Sequence, residues 1–150
     1  MRIPFVSACF CIALAAAPLP AGAAGLLSAT GAVIAILAGE LFVGEAKGHL
    51  NGAGSLAIHS QRDPRLVCIG DFISSASQGG AGQLQCSDGS QATFRFERLT
   101  MFCGHGSGSF SRGPMNFVYG LTVTEAAPYL SLPAGKRLVH NGTELQMLDL

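Results

Sequence analysis

The sequence predicts an all-β fold, in which an antiparallel meander of short strands forms a small barrel or sandwich. Beyond the first 23 residues, short apolar runs are punctuated by Gly, Ser, Asn and Asp, with little helical periodicity, which is typical of such strands. Three Gly-x-Gly segments recur in the middle of the chain, and an Asn-Gly pair near its end is a strong hairpin signal. The 150 residues are 49 % hydrophobic and 12 % charged, so we expect a single folded domain.

The N-terminal segment has the pattern of an export signal. Met1-Arg2 is a short positive region, Phe5 to Ala17 is an apolar run, and a small-x-small site ends at Ala23 after two prolines. We expect this segment, helical before removal, to be cleaved after Ala23, which leaves a periplasmic or secreted domain of residues 24–150. A retained anchor is the alternative, but the run is shorter than the roughly 20 apolar residues that span a bilayer. Lipidation at Cys9 is disfavoured because the apolar run follows that cysteine.

The charge of the mature domain argues against two classes of partner. Loss of Arg2 with the signal leaves eight basic residues against nine acidic ones, so no basic field remains to attract nucleic acid or an anionic membrane. We expect no stable transmembrane anchor in the mature chain. The expected partner is an envelope protein or a small ligand.

The first part of the mature domain is rich in β-branched and aliphatic residues. Gly31 to Val43 predicts one or two core strands. A helix is the alternative here, because periodicity alone does not assign a short apolar run.

The middle of the chain holds three similar units. Each unit begins with Gly-x-Gly and continues, two residues later, with an apolar residue. These segments are Gly52 to Leu56, Gly80 to Leu84 and Gly106 to Phe110, at intervals of 28 and 26 residues. The runs that follow them are Val67 to Phe72, Ala92 to Leu99 and Met115 to Leu121. Each unit therefore predicts a strand, a turn and a returning strand, and the units together would bury a face that none could bury alone.

This arrangement, over about residues 44–121, resembles MORN-type repeats, in which Gly-x-Gly strands alternate with aromatic strands. The resemblance implies a flat or curling β-meander. The departures are a longer unit and a Tyr-x-Gly-like element that survives only as Tyr119-Gly120. Small exported bacterial proteins of unknown function have a similar appearance.

Two turns predict strand register. A three-residue loop at Ser87-Asp88-Gly89, with Gly89 in the left-handed region, would place Cys86 on the same inward face as Leu84, Ala92, Phe94 and Phe96. Around Asn141-Gly142, a two-residue loop predicts a C-terminal hairpin over 136–148 with Leu138 opposite Leu145. The residues between about 125 and 135 would form a linker to that hairpin.

The mature chain keeps three cysteines, an odd number for an exported protein. We predict a disulfide between Cys68 and Cys86, which lie in strand-like runs 18 residues apart, and a free thiol at Cys103. Spacing does not exclude pairings that involve Cys103. No Cys-x-x-Cys motif suggests a redox role.

Candidate motifs for chemistry are incomplete. Cys103-Gly-His105 lacks the closely spaced second ligand pair of a structural zinc site, so no metal is predicted. The stretch Gly104 to Ser109 lacks the Lys of a phosphate loop, and the chain lacks the nucleophile elbow of an esterase. We therefore assign no catalytic residue, no cofactor-binding residue and no cofactor, and we expect a protein that is not an enzyme.

Three functions are compatible with the sequence. The first is a non-catalytic exported β-domain that binds an envelope protein or ligand through strand faces and through loops such as Ser60 to Arg65 and Ser74 to Gly79. The second is a small periplasmic hydrolase that uses dispersed carboxylates and His105. The third is a small-molecule carrier barrel. Its interior would be lined by Phe94, Phe96, Phe117 and Tyr119.

Overall fold

The computed structural model describes residues 28–75 and 77–150, and its main body is a closed β-barrel. Eight strands each pair antiparallel with the next in the chain, and β8 returns to pair with β1. The strands are β1 Ser28–Leu37, β2 Glu40–His49, β3 Ala53–Ser60, β4 Val67–Ser75, β5 Gly79–Cys86, β6 Gln91–Arg98, β7 Gly104–Phe110 and β8 Gly113–Tyr119. The predicted fold class is confirmed, with a barrel rather than an open sandwich. The predicted signal segment and its cleavage site at Ala23 lie outside the described residues.

The segment Gly31 to Val43 forms two strands, so the helical alternative is wrong. β1 and β2 meet at a two-residue turn in which Ala38 and Gly39 both have positive φ, at 49° and 81°. This combination of signs belongs to a type I′ turn, whose twist matches that of the flanking strands. The tight turn is what divides one apolar run into a hairpin.

Side chains alternate between the barrel interior and its outer surface, as the period of a strand requires. One end of the barrel carries the β1–β2, β3–β4, β5–β6 and β7–β8 turns, and we name it the packed end. Large apolar side chains fill it, including Leu37, Phe42, Ile58, Phe110 and Met115. The opposite end carries the β2–β3, β4–β5 and β6–β7 connections, and we name it the open end.

The Gly-x-Gly segments lie on the odd-numbered strands β3, β5 and β7, and inward-facing aromatic rings of the even-numbered strands lie opposite their glycines. These pairs are Gly54 with Phe72, Gly82 with Phe94, and Gly106 with Phe117. A Cβ atom added at any of the three glycines would collide with the partner ring. Glycine therefore provides the space into which each neighbouring ring folds.

The β5–β6 turn has the predicted three-residue loop. Gly89 has φ 86°, and the Cys86 amide donates to the Ser90 carbonyl across the loop at 2.9 Å. The side chains that consequently share the inner face and are buried there are Leu84, Cys86, Ala92, Phe94 and Phe96.

A second apolar layer covers the outer face of β1, β2 and β8. It is built from a short helix α1, Val123–Ala126, a 3₁₀ turn, Ala127–Tyr129, and a hairpin of β9, Lys136–Asn141, and β10, Glu144–Asp149. Thr122 and Glu125 form a capping box at the start of α1. The predicted linker therefore begins as helix, and the hairpin packs on the barrel through Leu145, whose carbonyl accepts from the Gln61 side chain. Among the described residues, no helix has the length and hydropathy needed to cross a membrane.

The register predicted for the C-terminal hairpin is wrong: each residue of β9 lies opposite a residue of β10 that is two positions later than predicted. Leu138 lies opposite Met147, and Leu145 lies opposite His140. The loop consists of Gly142 and Thr143, because Gly142, with φ 65°, takes the first loop position while Asn141 stays in the strand. The Thr143 amide donates to the Asn141 carbonyl at 2.7 Å, a bond from residue i+2 to residue i that makes Gly142 the centre of a γ-turn. Because side chains alternate with a period of two, a shift by two positions keeps the same apolar face toward the barrel.

Candidate functional site

The open end of the barrel contains a cavity of about 90 Å³ that opens to solvent. Five aromatic side chains of β4, β6 and β8 form one wall: Phe72, Phe94, Phe96, Phe117 and Tyr119. The opposite wall is made of small residues on β1 and β2, among them Ala29, Gly31, Ala46 and Gly48. An apolar protein cavity of about 150 Å³ holds a benzene molecule, so this smaller space holds only part of a ring, and the rest of such a group would extend through the open mouth.

The aromatic wall is held in place by edge-to-face packing. The rings of Phe94 and Phe117 have centroids 5.2 Å apart, those of Phe72 and Phe96 5.6 Å, and those of Phe96 and Tyr119 5.7 Å, with interplanar angles of 80–88°. This geometry is the preferred one for aromatic pairs. The wall is thus formed by contacts within the protein and does not need a ligand to order it.

Arg98, at the end of β6, gives the mouth of the cavity a positive charge. Its Nη1 donates to the Met101 carbonyl at 3.0 Å, and its Nη2 donates to Ser74 Oγ at 2.7 Å. Ser74 is fixed in turn, because its amide and its hydroxyl both donate to the Gly52 carbonyl. The guanidinium is therefore held by two neutral acceptors on neighbouring connections of the open end.

Two polar atoms at this mouth are shielded from solvent and have no hydrogen-bond partner within the described chain: Arg98 Nε and the Tyr119 hydroxyl. Burial raises the pKa of Tyr119, although the Arg98 charge opposes this effect and Cys103 adds to it. The hydroxyl accordingly stays protonated at neutral pH and can donate a hydrogen bond. Shielded polar groups without partners cost folding free energy, and an acceptor reaches these two atoms only when side chains at the mouth move.

The loop between β6 and β7 forms an apolar rim beside the mouth. Met101 and Phe102 line the cavity, yet they are 73 % and 66 % exposed. Cys103 ends this loop, and its Sγ lies 3.1 Å from Thr100 Oγ1. Large apolar side chains exposed at the entrance of a cavity mark a place where an apolar ligand can be partly covered.

The predicted disulfide and free thiol lie at opposite ends of the barrel. Cys68 and Cys86 occupy directly opposed positions of β4 and β5, with Cα atoms 3.9 Å apart, and they form a disulfide inside the packed end. Cys103 is half-buried, and it has no disulfide partner within the described chain. The disulfide is therefore structural and is separated from the cavity.

The other sequence candidates lie outside the cavity. The His105 ring stacks on Tyr129 with centroids 4.5 Å apart, and its Nε2 lies 3.9 Å from a Glu97 carboxylate oxygen on the outer surface. Within the described chain, no group of three or more His, Cys, Asp or Glu side chains could hold a metal ion. The loop Ser60 to Arg65 lies at the packed end, whereas the described residues of the loop Ser74 to Gly79 lie at the open end.

Sequence reasoning identified the aromatic wall and missed Arg98. The four residues proposed to line a carrier barrel, Phe94, Phe96, Phe117 and Tyr119, all line the cavity. Arg98 could have been found by extending the same alternation, since Phe94, Phe96 and Arg98 are spaced by two on β6. The signal is a charged residue at the inward position that follows Ala92, Phe94 and Phe96.

No family model and no curated protein matches the chain. A solved structure titled as a redesigned β-barrel is similar to it, with a TM-score of 0.51 and 13 % sequence identity over 67 % of this chain and 95 % of that one. At this identity the similarity shows the fold alone. The likeness to MORN-type repeats remains a resemblance of sequence.

Proposed function

We propose that this protein is an exported, non-catalytic β-barrel of the cell envelope that binds a small apolar ligand in the cavity at its open end. The observation that carries the proposal is the contrast between the two ends of the barrel interior. Large side chains fill the packed end, whereas ordered aromatic rings and small residues leave a cavity at the open end. Preformed, mostly apolar cavities with a few polar groups are the usual form of small-molecule sites.

The residues around the cavity support binding rather than catalysis. The described residues that line it include no Asp, Glu or His, which are the usual general acids and bases. Asp63 and Asp88 lie in turns of the packed end, where Arg65 and Arg112 respectively pair with them. The hydrolase alternative therefore has no cluster of catalytic groups in the cavity to support it.

Export is supported by the leader-like segment that ends at Ala23 and by the Cys68–Cys86 disulfide, which suits an oxidising compartment. Its test is the intact mass of the protein recovered from periplasm or medium, with and without alkylation. We expect a chain that begins at Ala24, with one disulfide and one alkylatable thiol. A retained N-terminus or three free thiols would contradict export with cleavage at this site.

A second candidate function, binding of an envelope protein, is favoured by the outer face of β4. Ile69 and Ile73 project from this strand and are 61 % and 74 % exposed. Apolar side chains grouped on one exposed strand face are typical of interaction surfaces. Crosslinking in the envelope fraction, compared between wild type and Ile69→Ser, tests this candidate without involving the cavity.

The binding proposal is tested by titrating the mature protein with 4-fluorotoluene, observed by ¹⁹F NMR. We expect saturable binding by the wild type and loss of binding by Ala46→Leu, which adds a branched side chain to the small wall of the cavity. Ala57→Leu is the matched control, because Ala57 is exposed on the outer face of β3. Absence of saturable binding, or equal binding by Ala46→Leu and wild type, would refute the proposal.

A further inference from the structure

The charge at the cavity mouth restricts what the ligand can be. Among the described residues that line the cavity, Arg98 is the only charged one. Its terminal nitrogens contact a carbonyl and a hydroxyl, and none of the ion pairs found in the described chain includes it. A half-buried guanidinium without a carboxylate is an unfavourable arrangement in the free protein, and an anion at the mouth would relieve it.

The number and kind of hydrogen-bond donors at the mouth restrict the chemical class of the anion further. Arg98 Nε and the Tyr119 hydroxyl are both shielded and unpaired within the described chain. Arg98 and Tyr119 both line the cavity, so the two donors belong to one site. An acceptor with two oxygens and one negative charge matches two donors and one positive charge.

From this mouth and the cavity below it, we infer that the ligand is a small monocarboxylic acid. Its apolar body, a single ring or a short branched chain, occupies the space beside the aromatic wall. Its carboxylate lies at the mouth and pairs with the Arg98 guanidinium, and a shift of the Arg98 side chain exposes Arg98 Nε and the Tyr119 hydroxyl as its hydrogen-bond donors. This inference rests on the proposed function, since it specifies the ligand class of the same cavity.

The test compares two probes of nearly equal shape, 4-fluorobenzoate and 4-fluorotoluene, by ¹⁹F NMR titration of the full mature protein at pH 7. We expect the wild type to bind 4-fluorobenzoate at least about 10-fold more tightly than 4-fluorotoluene, as hydrogen bonds to a charged group allow. Arg98→Met should remove this preference while leaving 4-fluorotoluene affinity within about 3-fold. Tyr119→Phe should weaken 4-fluorobenzoate binding by about 3-fold to 10-fold.

Arg95→Met is the matched control, because Arg95 lies on the same strand and is exposed on the outer face of the barrel. It should leave both affinities unchanged, whereas a loss of 4-fluorobenzoate binding in this variant would assign the effect to general charge and overturn the inference. Tyr119→Phe gives an independent result if Arg98→Met fails to fold. Protonation of the probe is a further check, since preference for 4-fluorobenzoate should disappear below about pH 4.

The outcomes separate the inference from the proposed function. If neither probe binds the wild type, both are refuted. If 4-fluorotoluene binds and 4-fluorobenzoate binds no more tightly, or if Arg98→Met keeps the preference, the carboxylate inference is wrong and the apolar cavity remains. Preference for 4-fluorobenzoate that depends on both Arg98 and Tyr119 would establish the ligand class.

Discussion

Removal of the Cys68–Cys86 disulfide, by the double substitution Cys68→Ala and Cys86→Ala, should destabilise the barrel strongly. The disulfide closes a loop with a sequence separation of 18 residues. The chain-entropy model gives such a loop about 3 kcal/mol of stabilisation through its effect on the unfolded state. Since small domains are stable by about 5–15 kcal/mol, we expect a fall of about 10 °C in the midpoint of thermal unfolding.

The assay is guanidinium unfolding followed by far-UV circular dichroism, with calorimetry for the thermal midpoint. Cys103→Ala is the matched control and should change the free energy of unfolding by less than about 1 kcal/mol, because Cys103 has no disulfide partner within the described chain. Reducing agent should act slowly on the wild type, since Cys68 is fully buried and Cys86 nearly so. A loss below about 1 kcal/mol in the double variant would refute the loop-closure reasoning.

Three further substitutions test glycine packing, turn conformation and a carboxylate with a lowered pKa in the barrel. Gly106→Ala should destabilise the barrel by about 1–3 kcal/mol in urea unfolding, because the new Cβ atom would collide with the Arg95 carbonyl oxygen and would meet the Phe117 ring at 2.5 Å. Ala38→Asn should stabilise it by about 0.5–1 kcal/mol in the same assay, since Asn tolerates the left-handed conformation better than Ala. Asp88→Asn should flatten the loss of stability in acid: Ser90 and Arg112 lower the pKa of Asp88, so its contribution is present above the ordinary value of 3.8 and is lost as pH falls below it.

Two of these substitutions have a control variant at an exposed strand position, and the third is checked by its pH dependence. Ser107→Ala, exposed beside Gly106, should be neutral, and equal effects of the two would contradict the ring contact. Ala81→Asn, exposed in a regular strand, should give no gain. An Asp88→Asn variant with the acid sensitivity of the wild type, measured by urea unfolding between pH 2 and 6, would show that other carboxylates dominate the acid response.

The local structure of this barrel follows from sequence, while its closure does not. The spacing of Leu84, Cys86, Phe94 and Phe96 and the turn at Gly89 are enough to align β5 with β6, because both signals act over a few residues. Pairing of β1 with β8 depends on contacts such as Val33 with Tyr119. No local pattern specifies partners so distant in the chain, so barrel and sandwich could not be distinguished.

The site was predictable to a similar extent. Period-two alternation placed the aromatic side chains of β6 and β8 in the interior. Whether that interior is filled depends on the volumes of side chains that meet from all eight strands, which requires the closed barrel. The hairpin at Gly142 shows the same limit on a smaller scale, because the Asn-Gly preference located the turn but not the position of glycine within it.

The cavity itself is the consequence of a gradient of side-chain size along β1 and β2. Toward the packed end the inward residues are Leu37 and Phe42, whereas toward the open end they are Ala29 and Ala46. If the small residues at the open end serve to admit a ligand, the unfilled space that they leave lowers the stability of the barrel. Ala46→Leu should then recover part of that stability. Three added carbons, at about 0.8 kcal/mol for each buried CH₂ group, set an upper limit near 2 kcal/mol.

We therefore expect Ala46→Leu to raise the free energy of unfolding by about 0.5–2 kcal/mol in urea while it abolishes binding of the fluorinated probes. Ala57→Leu, on the outer face, should change neither property. Destabilisation by Ala46→Leu would mean that this wall has no room for the larger side chain and that the cavity is too small to admit a ring. Stabilisation with binding retained would place the probe elsewhere on the protein. Only a variant that is more stable and unable to bind links the unfilled interior to the function proposed for it.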